Sequence, residues 1–265
     1  MLLKNKVIFL TGATEGIGFE CAKAYFNAGA RVSIISDSEL SIEKAGEKLT
    51  GNDMILINAD VSKSEDVRMA IEKTVNHFGG IDVIHNNAGI SGPSKAAHET
   101  TPEEWDRLFD VNVKGIYNTV RFGIDELKKT RGNILNTGSL VGEIGQQLHA
   151  AYSATKGAIG ALTKSMALDY APFGIRVNAV APAGVWTPML RSWSKEQPDP
   201  FFIEKYLDEI HALGFCPEGD VVADACLFLV SEQARFITGC ILPVSGGAEL
   251  GYRRVMRQTA DMKQG

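Results

Sequence analysis

Tyr152 and Lys156 stand four residues apart in "AYSATKGAIG" (151–160), a spacing that puts a phenol and an ammonium on one face of a helix. A tyrosine carries protons poorly at neutral pH, because its ordinary pKa is about 10. A cation at about 4 Å, in an effective dielectric of about 20, attracts a phenolate by on the order of 4 kcal/mol, and one pKa unit corresponds to about 1.4 kcal/mol. The pair is therefore expected to give a phenol acidic enough for general acid–base catalysis. Two more polar residues are candidates for the same chemistry. Ser139 closes the run "NILNTGS", where its hydroxyl either holds a substrate oxygen or caps a turn. Asn112, in "FDVNVKG", either lines a site or bonds backbone within its helix.

A second constellation lies at the N-terminus. "TGATEGIG" carries Gly12, Gly16 and Gly18 directly after the β-branched run "KVIFL". Glycines at a strand-to-helix turn let the backbone approach a pyrophosphate, and the helix behind them aims free N–H groups at that anion. Tight turns also use glycine for steric reasons alone. Here Asp37 follows nineteen residues after Gly18, at the end of the next apolar run, where a carboxylate can accept ribose hydroxyls. A 2′-phosphate would meet that charge and Glu15 as well, with no Arg or Lys between 32 and 43 to offset them. The expected cofactor is NAD rather than NADP.

Something must hold these residues together. Strand candidates recur at 6–10, 31–35, 54–58, 81–85, 133–137 and 175–181, and stretches with helical apolar spacing separate them at 17–28, 64–78, 102–129 and 151–171. Strands that alternate with helices imply parallel neighbours joined by crossovers. The expected fold is α/β, a doubly wound, Rossmann-like parallel sheet with helices on both faces. "SWSKEQPDP" (192–200) reads as a loop, and no linker or repeat divides the chain. One domain is expected over 1–250, including a substrate loop at 186–215, with a polar tail at 251–265.

The 265 residues are 45% hydrophobic with a net charge of −5. No basic run offers a face for nucleic acid or for an anionic membrane. The start "MLLKNKVIFLTG" is too interrupted for a signal peptide or a span, so a cytoplasmic location is expected. Cys21, Cys216, Cys226 and Cys240 form no Cys-x-x-Cys pair, and neither a disulfide framework nor a metal site is expected from their spacing.

"TGATEGIG", "NNAG" (86–89), Asn112, Ser139 and Tyr152-x-x-x-Lys156 occur in the order and spacing of the short-chain dehydrogenase/reductases, which the sequence resembles over nearly its whole length. The resemblance implies a catalytic tetrad of Asn112, Ser139, Tyr152 and Lys156. In it the tyrosine moves the proton, the lysine also holds the nicotinamide ribose, and the asparagine positions a water in a proton relay. It extends the cofactor site to Thr14 and Ile17 in the glycine turn, to Asp60 and Val61 in "NADVS", and to Asn87, Ala88 and Gly89. It also adds Pro182, Val185 and Thr187 in "APAGVWTPM". Ser36 stands where many NAD-specific members keep the aspartate, one residue before Asp37. "TGSLVGEIGQ", "WTPM" and "GGAELGY" resemble the branch that holds 17β-hydroxysteroid dehydrogenase type 14 and L-fucose dehydrogenase. That likeness implies a homotetramer, a substrate contact from Gln146, and a Tyr252 that reaches a neighbouring subunit. Ala183 replaces the glycine usual after Pro182, and Phe215 and Val221 replace a frequent Arg and Glu. Ile90 and Ser91 lack the histidine associated with the steroid enzyme. The expected activity is hydride transfer between NAD and a secondary alcohol or sugar hydroxyl. A steroid or other apolar alcohol is the alternative, supported by Trp186, Met189, Trp193, Phe201 and Phe202. A non-catalytic NAD-binding regulator is a third reading.

Overall fold

A computed structural model describes residues 1–49, 51 and 53–251; Tyr252 and the rest of the polar tail lie outside the described residues. Seven parallel strands form one sheet in the order β3-β2-β1-β4-β5-β6-β7. They are β1 (Val7–Thr11), β2 (Arg31–Ser36), β3 (Met54–Asn58), β4 (Val83–Asn86), β5 (Asn133–Thr137), β6 (Arg176–Pro182) and β7 (Ile241–Val244). Their side chains are largely apolar on both faces because both faces are covered, with buried polar residues such as His85, Asn136 and Thr137 among them. In β1, Ile8 and Leu10 enter one core layer and Phe9 the other.

The first layer is closed by α1 (Gly16–Asn27) and by a late helix, Asp220–Val230, which becomes α9 in the count below. The second is closed by α3 (Ser64–Phe78), α5 (Gly115–Thr130) and α6 (Ala150–Tyr170). The remaining helices are α2 (Glu39–Lys48), α4 (Pro102–Phe109), α7 (Pro188–Lys195) and α8 (Pro200–Ile210), which leaves Asp220–Val230 as α9.

Three expectations change. The helix expected over 102–129 is α4 and α5 joined by a π-helical turn at Asp110–Lys114. The loop expected at 192–200 is in part helix, since Thr187 caps α7 by accepting from the Leu190 N–H at 3.2 Å and Pro188 at the first position is preset for a helix. Ser139 lies two residues beyond the last residue of β5 and caps a short 3₁₀ turn, Leu140–Gly142. The strand order reverses between β1 and β4, and in open α/β sheets that switch point is where ligands collect, outside the carboxyl ends of the strands.

Candidate active site

At the carboxyl end of β1 the chain turns into α1, whose first N–H groups have no intrahelical partner. Glu15 precedes the helix in extended conformation and makes no side-chain cap, so those donors are left for an anion. Asn87 ties this turn to the end of β4: its Nδ2 donates to the carbonyls of Thr11 (3.1 Å) and Gly12 (2.8 Å). The Thr11 hydroxyl in turn accepts the N–H groups of Asn87 and Ala88 at 3.0 and 3.1 Å. Gly16 has φ +56°, and a Cβ there would stand 3.3 Å from the Thr187 side chain. Two stretches far apart in sequence, both expected to hold the cofactor, thus meet beside a helix N-terminus whose free N–H groups suit a diphosphate. These residues fit a dinucleotide.

The other expected cofactor residues line the same edge. Buried Pro182 ends β6, and buried Val185 and then Thr187 follow on the loop beyond it. Thr14, Ser36 and Ser41 join hydroxyls at 3.0–3.2 Å beyond β2, with Asp37 exposed beside them. The Asp60 carboxylate accepts from the N–H (2.9 Å) and hydroxyl (2.6 Å) of Ser62. Burial works to raise that carboxyl, but these bonds, with Arg107 and Lys63 nearby, hold it below its usual value. Buried Val61 accepts at its carbonyl from Asn118 Nδ2 at 2.8 Å.

Ser139, Tyr152 and Lys156 meet at the carboxyl edge of β5, where the 3₁₀ turn packs on α6. The Ser139 hydroxyl, which accepts the Val141 N–H at 3.4 Å, is close enough to the Tyr152 phenol to favour its ionised form. Lys156 is buried, lies 5.6 Å from the centroid of the Tyr152 ring, and donates from Nζ to the carbonyl of Thr137 at 3.0 Å. The electrostatics differ from the sequence expectation. Burial raises the Tyr152 phenol, and only Ser139 pulls it down. Burial also drives the Lys156 ammonium down to about 8. The ammonium hydrogen-bonds a main-chain carbonyl rather than the phenolic oxygen.

Asn112 sits in the π-helical turn, 1% exposed. Its Oδ1 accepts the Ile90 N–H at 2.9 Å, and its Nδ2 donates to the Ile90 carbonyl at 2.9 Å and the Thr155 hydroxyl at 3.0 Å. The amide pairs with Ile90 as a strand would and is fully engaged; Thr155 then donates to the Tyr152 carbonyl at 2.7 Å. Gly89 lies against this group, a Cβ there falling 3.2 Å from Asn112 Oδ1 and 3.5 Å from Lys156 Nζ. Gln146 is exposed in the turn before α6. Near it, Ser94 links Trp193 Nε1 (3.1 Å) and His149 Nε2 (3.3 Å).

Thr11, Thr137 and Thr155 were not singled out from the sequence. They work through hydroxyls or carbonyls whose partners come from other strands and helices, and no local pattern marks them. Met189, Phe201 and Phe202 are exposed at 42%, 81% and 60%, so they do not pack a lid within the chain.

Comparison with known proteins places the chain among dehydrogenases and reductases. A family model described as enoyl-(acyl carrier protein) reductase matches residues 12–249. L-fucose dehydrogenase of Bos taurus is 39% identical over 256 residues, 97% of this chain and 94% of that protein. Meso-2,3-butanediol dehydrogenase of Serratia marcescens is 35% identical, over 94% of this chain and 96% of that one. Among solved structures, a 3-ketoacyl-(acyl-carrier-protein) reductase from Brucella melitensis complexed with NADH has a TM-score of 0.85 at 34% identity, over 93% of this chain and 99% of that one.

Proposed function

The chain belongs to the short-chain dehydrogenase/reductase family and is an NAD-dependent oxidoreductase, and from that premise we propose that it oxidises a secondary alcohol or a sugar hydroxyl, or reduces the matching carbonyl, with Tyr152 as the general acid–base. The observation that carries this reading is the gathering of Ser139, Tyr152 and Lys156 at one sheet edge, with a buried ammonium 5.6 Å from the centroid of the phenol ring and a hydroxyl from a separate element close to the phenol. NAD, when bound, would supply the hydride acceptor.

Ser139 holds the substrate oxygen and Tyr152 takes its proton. Lys156 spends one donor on Thr137 and keeps two for the ribose hydroxyls and the side of the phenol. The Asn112 amide is already engaged with Ile90 and Thr155, so its share in a proton relay falls to its main-chain carbonyl. Asp37 reads the ribose and repels a 2′-phosphate. The sugar side of the reading is supported by the relative that acts on L-fucose. An apolar alcohol is the second reading, favoured by the exposure of Phe201 and Phe202. A homotetramer is the proposed assembly.

A panel of sugars, diols and steroids, followed by nicotinamide absorbance with NAD and NADP, tests the proposal in wild type, Tyr152→Phe and Asp37→Ala. The phenylalanine variant is expected to lose turnover by about a hundredfold or more while it still binds NAD. Asp37→Ala is expected to erode a preference for NAD of about a hundredfold. Retained turnover in the first variant, or an unchanged cofactor ratio in the second, contradicts the corresponding role.

A further inference from the structure

Four polar side chains lie in the first core layer and take no part in the chemistry above. Cys21 and Tyr25 share one face of α1, His85 projects from β4, and Cys226 comes from α9. All four are 0% exposed. The sulfurs of Cys21 and Cys226 and a ring nitrogen of His85 lie within 4.8 Å of one another. Some point is then within about 2.8 Å of all three donors, close to the zinc–sulfur and zinc–nitrogen lengths of about 2.3 and 2.0–2.1 Å.

The hydrogen bonds around His85 fix its tautomer. Asn87 Nδ2 is committed to two carbonyls, so its Oδ1 faces Thr137 and accepts from the Thr137 hydroxyl at 3.2 Å. With that proton spent, the Thr137 oxygen can only accept from His85 Nε2, at 3.0 Å. Nε2 therefore carries the hydrogen, and the lone pair is on Nδ1. Nδ1 lies 3.0 Å from the Tyr25 hydroxyl, which it accepts. An imidazole whose far N–H is held by a fixed acceptor is the arrangement that metal-ligating histidines take, and an ion here would take over the lone pair that otherwise accepts the Tyr25 hydroxyl.

We infer that Cys21, His85 and Cys226 form a buried site for zinc, with the Tyr25 hydroxyl beside the fourth position, on the face of the sheet opposite α6. Nitrogen and sulfur donors select a thiophilic ion. Charge then selects a divalent one. Two thiolates and a neutral imidazole around Zn²⁺ sum to zero, whereas a monovalent ion leaves a net negative charge in an apolar core. Binding releases the thiol protons to solvent and forms two zinc–sulfur bonds and one zinc–nitrogen bond. The ion clamps α1, the helix behind the glycine turn, to α9.

The test uses the full chain, expressed with added zinc, purified under a reducing agent without a metal-affinity step, and analysed for metal by mass spectrometry. About one zinc per chain is expected, resistant to EDTA in the folded protein and released when the thiols are mercurated. Refolding with one equivalent of cobalt(II) is expected to give sulfur-to-metal charge-transfer absorption. Cys21→Ala and Cys226→Ala are expected to retain at least tenfold less metal, and Cys216→Ala to retain it all. A metal-free wild type with no cobalt signal, retention of copper in place of zinc, or a Cys21–Cys226 disulfide would each overturn the assignment. The wild-type metal content and cobalt spectrum decide the matter even where a cysteine variant does not fold.

Discussion

Lys156 is asked to hold a charge where water does not reach it. Its ammonium falls from the ordinary 10.5 to about 8 on folding, so the folded chain releases that proton more readily than the unfolded one. Between about pH 8 and the unfolded value the unfolded chain binds more protons, and unfolding free energy therefore rises with pH in that window. The charged lysine weakens the fold near neutral pH by an amount on the order of 3 kcal/mol. Urea unfolding of wild type and Lys156→Met from pH 7 to 10 isolates the effect. The wild type is expected to gain on the variant as pH rises through 8, by up to about 1.4 kcal/mol per unit. A difference that stays flat across the range would show that the ammonium is not desolvated.

At the scale of elements, α1 is seated by a contact that admits no side chain. A Cβ on Gly18 would stand 2.2 Å from the Gly12 carbonyl oxygen and 2.4 Å from Asn87 Nδ2, so Gly18→Ala must lift the helix N-terminus off the turn. Overpacking of this kind costs about 1–3 kcal/mol. The variant is expected to melt lower and to lose NAD affinity by calorimetry; wild-type values for both would show that the helix end can shift freely. The glycine turn and the Tyr152–Lys156 pair were legible in the sequence because their spacing is local, set by a tight turn and by the helical period. The six strands named from β-branched runs are all present. β7 was not named, since "ILPV" is short, half-buried and interrupted by Pro243. The π-helical turn at Asp110–Lys114 leaves no compositional mark, because a turn one residue wider uses the same residue types. The direction of the Lys156 ammonium was illegible for a similar reason: Thr137 competes for it from a strand nineteen residues earlier.

At the scale of the whole molecule, apolar side chains remain in water on several outer faces. Tyr117 on α5 is 54% exposed and Leu168 on α6 is 78% exposed, while Phe228 on α9 is 37% exposed and Phe236, shortly before β7, is fully exposed. Two separate faces of this kind are what a tetramer with two-fold axes requires, since each axis needs its own self-complementary patch. Light scattering at micromolar concentration is expected to give four times the mass of 28.7 kDa, and Leu168→Glu to shift it to smaller species. A monomeric wild type contradicts this assembly.

The strand order also has a consequence for synthesis. β1 pairs with β2 on one side and with β4 on the other, so a chain leaving the ribosome can complete β1, β2 and β3 while the second edge of β1 still waits for Val83–Asn86. The glycine turn is translated before that edge is covered, and Ser139, Tyr152 and Lys156 emerge only afterwards. Nascent chains halted between β3 and β4 therefore present an open, apolar strand edge, which makes this interval of translation the one in which a chaperone has most to protect.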